Sequence, residues 1–322
     1  MTARNKLVIV GALGVAALLA LLYFAVPRRG GAKREIRVLT DRTEAHVAPL
    51  FAEFEKSSGI AVKAVYLDKG LVARLESRPT EADLVITKDA DLLEIARQKG
   101  LLTPLSSARV RSAVPEPFRE PGGAYFSDAY RARAIFYSRE RVKPSELSTY
   151  EDLASPKWKG KVCIRSGYHD YNLSLFGQML AVFGEARTKA FLAGLKQNLA
   201  RAPSGDDRGQ ARAIFEKKCD VALANSYYMG IMLSSAEQRP WGQATAVFFP
   251  DQKEGGSFIL RSGLALTKAT DNVEAATLLL EHMVQPEVQR GAFKVRSVPL
   301  AEIAKNREAV IRMLDEIHFD QP

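Results

Sequence analysis

Hydrophobic and polar positions follow two rhythms along this chain of 322 residues. IRVLT (36 to 40) is a short β-branched run, and the stretch after it carries Val47, Leu50, Phe51 and Phe54 at helical spacing, which predicts a strand followed by a helix. The pair repeats, with IAVKAVYL (60 to 67) and ADLVITKD (82 to 89) as strands, and with helices near residues 70 to 77 and through Leu92, Leu93 and Ile95. Strands separated by helices of this length predict a mostly parallel sheet with helices on both faces.

The rhythm breaks at AYFSDAYRARAIFYSRE (124 to 140), an extended alternating stretch with no helix after it. A second series follows, with GKVCIRS (160 to 166), a helix from about Asn172, an amphipathic helix near residues 188 to 196, DVALAN (220 to 225) and AVFFP (246 to 250). GGSFILRSGLALTK (255 to 268) then resembles the first long strand. Two extended crossings between two α/β lobes predict a hinged clamp whose ligand lies outside the carboxyl ends of the strands. The expected division is 35 to 127 with 258 to 297 in lobe 1, 138 to 250 with 298 to 322 in lobe 2, and crossings at 128 to 137 and 251 to 257. No internal repeat or low-complexity tract is present.

Residues 7 to 26, LVIVGALGVAALLALLYFAV, are twenty consecutive uncharged positions, about the length a helix needs to cross the hydrocarbon layer. Residues 1 to 34 are therefore expected to form a hydrophobic helix plus linker. It is read either as an uncleaved anchor or as a signal peptide with small residues Gly30 and Ala32 at cleavage spacing. With 47% hydrophobic and 26% charged residues the remainder is a folded chain. The net charge is +9, from 46 Lys and Arg against 37 Asp and Glu. Four of those cations precede residue 33, where there is no acid, leaving 42 against 37, and no basic run interleaved with aromatics points to nucleic acid.

Only Cys163 and Cys219 occur, too few for a disulfide framework and without the paired spacing of a zinc site. They sit near the ends of neighbouring predicted strands and are expected to pair in an oxidising compartment. No G-x-S-x-G, P-loop, G-x-G-x-x-G or H-E-x-x-H motif is present, so a binding role is expected rather than catalysis. The histidines at 46, 169, 282 and 318 are scattered and read as surface or helix-face residues, His169 standing out because it lies in SGYHDYN (166 to 172). That strand-end loop carries Tyr168 and Tyr171, and NSYYM (225 to 229) carries Tyr227 and Tyr228, so four phenols are expected at one end of one sheet. A deprotonated phenol is a hard oxygen donor, and losing a proton of pKa near 10 at neutral pH takes a strongly acidic cation such as Fe(III). Adjacent tyrosines are also often one core ring and one surface ring, and both meanings stand on the residues alone.

The runs VKPSELSTYEDLASPKWKGKVCIRSGYHDYNLSL (142 to 175), DVALANSYYMG (220 to 230), VFFPDQ (247 to 252) and SGLALTK (262 to 268) resemble the ferric-ion-binding periplasmic proteins of ABC iron importers, especially their tyrosine-rich subgroup. The resemblance implies an α/β, two-lobe, type-2 periplasmic-binding-protein (Venus flytrap) fold and a monomer in the periplasm, anchored at the inner membrane or released by signal cleavage. It implies Fe(III) as ligand, delivered to an inner-membrane ABC permease. Tyr171, Tyr227 and Tyr228 match the family's phenolate ligands. Where the family has a histidine just after the first strand, often followed by a tyrosine, this chain has Thr43 and Glu44. Glu44 is expected either to close on the metal as a carboxylate or only to complement the following helix dipole. Arg131 and Arg133, two apart on an extended strand, share a face. The resemblance implies that such an arginine neutralises the phenolates or holds a small anion such as carbonate, with Thr43 beside it, while the residues alone also fit a solvated strand edge. Many relatives carry a basic residue where this chain has Ile231. The same clamp serves polyamines, phosphonates and thiamine in related proteins, and an anchored iron-sensing role is the alternative to transport.

Overall fold

A computed structural model describes residues 35–284 and 293–321, so the expected N-terminal helix lies outside the described residues. Within them no helix is long and apolar enough to cross a membrane. The first series runs β1 (Glu35–Thr40), α1 (Glu44–Ser58), β2 (Ala61–Tyr66), α2 (Leu71–Ser77), β3 (Leu84–Thr87), α3 (Asp91–Gln98), β4 (Leu102–Thr103) and α4 (Ala108–Ala113). β1 pairs in parallel with both β2 and β3. The long strand β5 (Phe126–Ser138) follows. The second series is β6 (Val162–Cys163), α5 (Asp170–Phe183), α6 (Glu185–Gln197), α7 (Asp207–Phe215), β7 (Val221–Asn225), α8 (Tyr228–Ser234), α9 (Arg239–Ala244) and β8 (Thr245–Phe248). The chain ends with β9 (Ser257–Thr267), α10 (Val273–Met283), β10 (Val295–Arg296) and α11 (Leu300–Glu316).

Strand order is β2-β1-β3-β9-β5-β7-β6. The sheet is less parallel than the rhythm predicts, because the two long strands insert antiparallel: β9 against β3 and β5, and β5 against β7 and β8. β5 pairs with β9 as far as Ala132 and with β7 from Arg133 onward, so one strand serves two sheets and changes partner between adjacent residues. On one side of this junction Val47, Phe51, Leu84, Ile86 and Leu279 form an apolar core, on the other Phe136, Ile214, Ala222 and Met232, and a larger cluster runs between them.

α11 packs mainly along α5 and also touches α3. Its close approach to α5 depends on Gly177, where a Cβ would stand 3.2 Å from the Ile303 carbonyl oxygen. The Arg307 guanidinium of α11 reaches Asp170 of α5 and lies 3.6 Å from Asp91 of α3.

Cys163 and Cys219 are bonded, with Cα atoms 5.9 Å apart. One lies in β6 and the other two residues before β7, its parallel neighbour. The bond spans 56 residues, and closing a loop of that size in the unfolded chain stabilises the folded state by about 2 to 4 kcal/mol. Urea unfolding of a Cys163→Ala/Cys219→Ala variant should show a loss of that size, and a loss below about 1 kcal/mol would exclude a stabilising bridge.

Candidate metal site

β6 and β7 are parallel neighbours, so the turns that leave their carboxyl ends open at the same edge of the sheet. Tyr171 is the second residue of α5, while Tyr227 caps α8 and Tyr228 is its first residue. α5 starts where it does because His169 Nδ1 accepts the Tyr171 N–H at 3.1 Å, pairing one of the amides that a helix start leaves free. Asp170 adds a carboxylate in the first turn, favourable to the helix dipole.

Tyr171, Tyr227 and Tyr228 line one cavity of about 450 Å³, faced from the first series by Thr43, His46 and Lys88 and from β5 by Arg131. The Tyr227 and Tyr228 rings lie 4.2 Å apart between centroids. Four cations surround the Tyr171 ring: Arg131 at 4.9 Å, Arg165 at 5.1 Å, Arg133 at 5.9 Å and Lys88 at 6.0 Å. His169 packs edge-on against the same ring.

Burial pushes the Tyr171 hydroxyl well above its ordinary pKa, opposed by the Arg131 guanidinium. Burial raises Tyr227 as well, helped by the neighbouring Tyr171 and Tyr228 phenols. Tyr171 and Tyr227 are therefore held in their protonated forms, and a cation that binds them must be acidic enough to displace those protons. His169 moves the other way, pushed down to about 2 by burial and then by Arg165 and Lys88. It is a neutral imidazole whose Nδ1 accepts, so the proton sits on Nε2. No group of three or more His, Cys, Asp or Glu suited to a metal occurs among the described residues.

The arginines share a face as their spacing predicts, but their surroundings differ. Arg131 borders the cavity, donating to Asp89 Oδ1 at 2.8 Å and reaching Ser262 Oγ at 3.4 Å. Arg133 is fully buried and does not line the cavity, so of the two roles expected of it the structure favours support behind the phenols over direct contact with an anion. It donates instead to Asp207 at 2.6 Å, Asn172 at 2.7 Å and Asn225 at 3.3 Å. Asn172 follows Tyr171 and Asn225 stands two before Tyr227, so one guanidinium braces both phenol-bearing turns.

Tyr168 does not join the cluster. Its hydroxyl donates to Asp315 of α11 at 2.7 Å, because the residue precedes the helix cap and turns toward the C-terminal helix. Glu44 is exposed at the first position of α1. It lines an adjoining cavity of about 530 Å³ together with Tyr171, Tyr228, Lys88, Arg165 and Arg208. Together with burial, its charge also raises the Tyr66 phenol. Thr43 lines both cavities. His46 is exposed, as expected of a surface residue, and it also lines the cavity that all three phenols share, a placement not expected from sequence. Its signal was spacing: three residues past Thr43, it repeats the same helix face in the first turn of α1.

Several solved structures share this architecture. Apo ferric ion-binding protein A of Pasteurella haemolytica superposes with a TM-score of 0.85 at 35% identity, over 89% of this chain and 99% of that one. A Trichodesmium protein in complex with iron and citrate ligands gives 0.81 at 32% identity, over 88% and 99%. Iron uptake protein A1 of Synechocystis is 37% identical over 265 residues, 80% of this chain and 73% of its own length. The family model described as bacterial extracellular solute-binding protein matches residues 80–313, and the chain belongs to that family.

Proposed function

We infer that this chain binds ferric iron between its lobes and hands it to an ABC permease. The observation that carries the reading is the convergence of Tyr171, Tyr227 and Tyr228 on one cavity beside Arg131. Three phenolates match the three charges of Fe(III), and the surrounding cations make it easier for the phenols to ionise once the metal arrives. The similar proteins named for ferric iron or iron uptake support the same cargo. Lobe 1 is taken as 35 to 127 with 258 to 297, and lobe 2 as 138 to 250 with 298 to 322. Tyr171, Tyr227 and Tyr228 then load the metal on lobe 2, and α1 of lobe 1 closes over it.

Between the two donors at the start of α1, His46 is the better placed for that closing contact, since it faces the cavity of all three phenols. Glu44 is the alternative, reaching only the adjoining cavity. A small anion, carbonate or a carboxylate, would sit against Arg131 or in that adjoining cavity beside Lys88, Arg165 and Arg208. The protein works as a monomer in the periplasm, held at the inner membrane by residues 7 to 26 or released by cleavage after them.

Each phenol must release a proton to bind the metal. Adding Fe(III) to the full chain at pH 7 should produce a visible phenolate-to-iron band. Affinity should fall with falling pH, by about tenfold per unit for each phenol deprotonated. A colourless protein, or binding indifferent to pH between 5 and 8, would overturn the reading.

A further inference from the structure

We propose that Tyr150 is a positioning residue for iron binding, setting the phenol cluster through Arg133 from the junction of the two crossing strands; this rests on the ferric reading above. Tyr150 is fully buried. Its hydroxyl donates to the Arg133 carbonyl and accepts the Phe258 N–H at 3.2 Å. The first partner is the residue at which β5 changes sheets, and the second is the second residue of β9. One oxygen thus ties both crossings where they diverge. The ring packs on Phe258 at 5.4 Å, and the Tyr150 N–H donates to Asp251 Oδ1 at 3.1 Å, so the hydroxyl is held from both ends.

Arg133 links this junction to the metal site. Its carbonyl is fixed by Tyr150, while its guanidinium holds Asn172 beside Tyr171 and Asn225 ahead of Tyr227. A rotation of the two lobes about the crossings bends β5 where it changes partner between residues 132 and 133, and the bonded Arg133 side chain transmits that bend to both phenol turns. Closure and phenol spacing are coupled through one residue, and Tyr150 sets its resting position.

The test uses the full chain, with Tyr150→Phe and Asn172→Ala made singly and together. Tyr150→Phe keeps the ring and removes the hydroxyl, so the chain should fold with a slightly lower thermal midpoint and faster exchange of the Phe258 amide. The visible band of the iron-loaded variant should also shift, and iron release to a chelator should accelerate about fivefold, the scale of one hydrogen bond. Asn172→Ala should shift the band in the same direction, and the double variant should release iron more slowly than the product of the single effects. A brace with only a structural role would change midpoint and exchange without moving the band. An unchanged band and release rate in Tyr150→Phe, with the parent loading normally, overturns the inference and leaves the iron reading intact. Multiplicative effects in the double variant overturn the coupling through Arg133. If the parent itself shows no band, the iron reading fails and this inference with it.

Discussion

The Tyr227→Phe/Tyr228→Phe double variant should lose the visible band and bind Fe(III) on the order of 10³-fold or more weakly than the parent. Removing a partner of a metal ligand already costs roughly 10- to 100-fold, so removing two donor atoms outright must exceed that. The fold should survive, because the half-buried rings keep their mutual packing and lose only hydroxyls. Competition titration against a chelator measures the first effect and circular dichroism the second. Under the same titration His46→Ala should weaken binding more than Glu44→Gln, because only His46 faces the cavity of all three phenols. Parent-like affinity in the double variant would remove phenolate iron binding from consideration. The reverse order of the two single variants would restore Glu44 as the closing ligand.

Asp207→Ala should destabilise the protein by about 3 to 5 kcal/mol, the range for stripping one partner from a buried ion pair. Asp207 and Arg133 are both fully buried. The carboxylate also accepts the Asn225 N–H at 2.8 Å and Arg165 at 3.3 Å. Without it a guanidinium is left in the interior with no counter-charge, and the turn after β7 loses its anchor. Asp207→Asn, which retains shape and one acceptor, should lose less. Urea unfolding reads the stability, and a loss below about 1 kcal/mol for the alanine variant would mean that water or another acid takes over the arginine.

The strand and helix rhythm was readable because half of each element is written in its own neighbours: β1, β2, α2 and β3 fall within a few residues of the runs that predict them. The long strands could be read for the same reason, since β5 runs thirteen residues and β9 eleven without a helical period in their apolar positions. Partnership could not. That β9 lies between β3 and β5 follows from register, which no local pattern contains. The sequence offers no prediction over α7, and the start of α8 lies in NSYYM, expected to be a strand-end loop. α7 is nucleated by Asp206, whose side chain accepts the Gly209 N–H, a cap legible only once a helix is suspected. Local spacing correctly put Arg131 and Arg133 on one face. The burial of Arg133 depends on Asp207, 74 residues onward, and so lay outside any window. Tyr168 failed for the same reason, its partner Asp315 lying 147 residues away.

Because β9 sits in the middle of the first sheet, the order of synthesis does not match the order of space. When the ribosome has made residues 35 to 138, β3 and β5 both present bare edges, and the strand that fills the gap between them lies more than a hundred residues downstream. β6, β7 and β8 and their helices, together with the later half of β5, can assemble meanwhile from chain already made, lacking the C-terminal helix and the contacts of Tyr150 and Gln178 with β9. β3 and the first half of β5 therefore wait with unpaired edges, a condition that invites pairing with other chains. A nascent chain arrested after residue 250 should be the form most prone to aggregate, and emergence of β9 should abolish that tendency within one further stretch of translation.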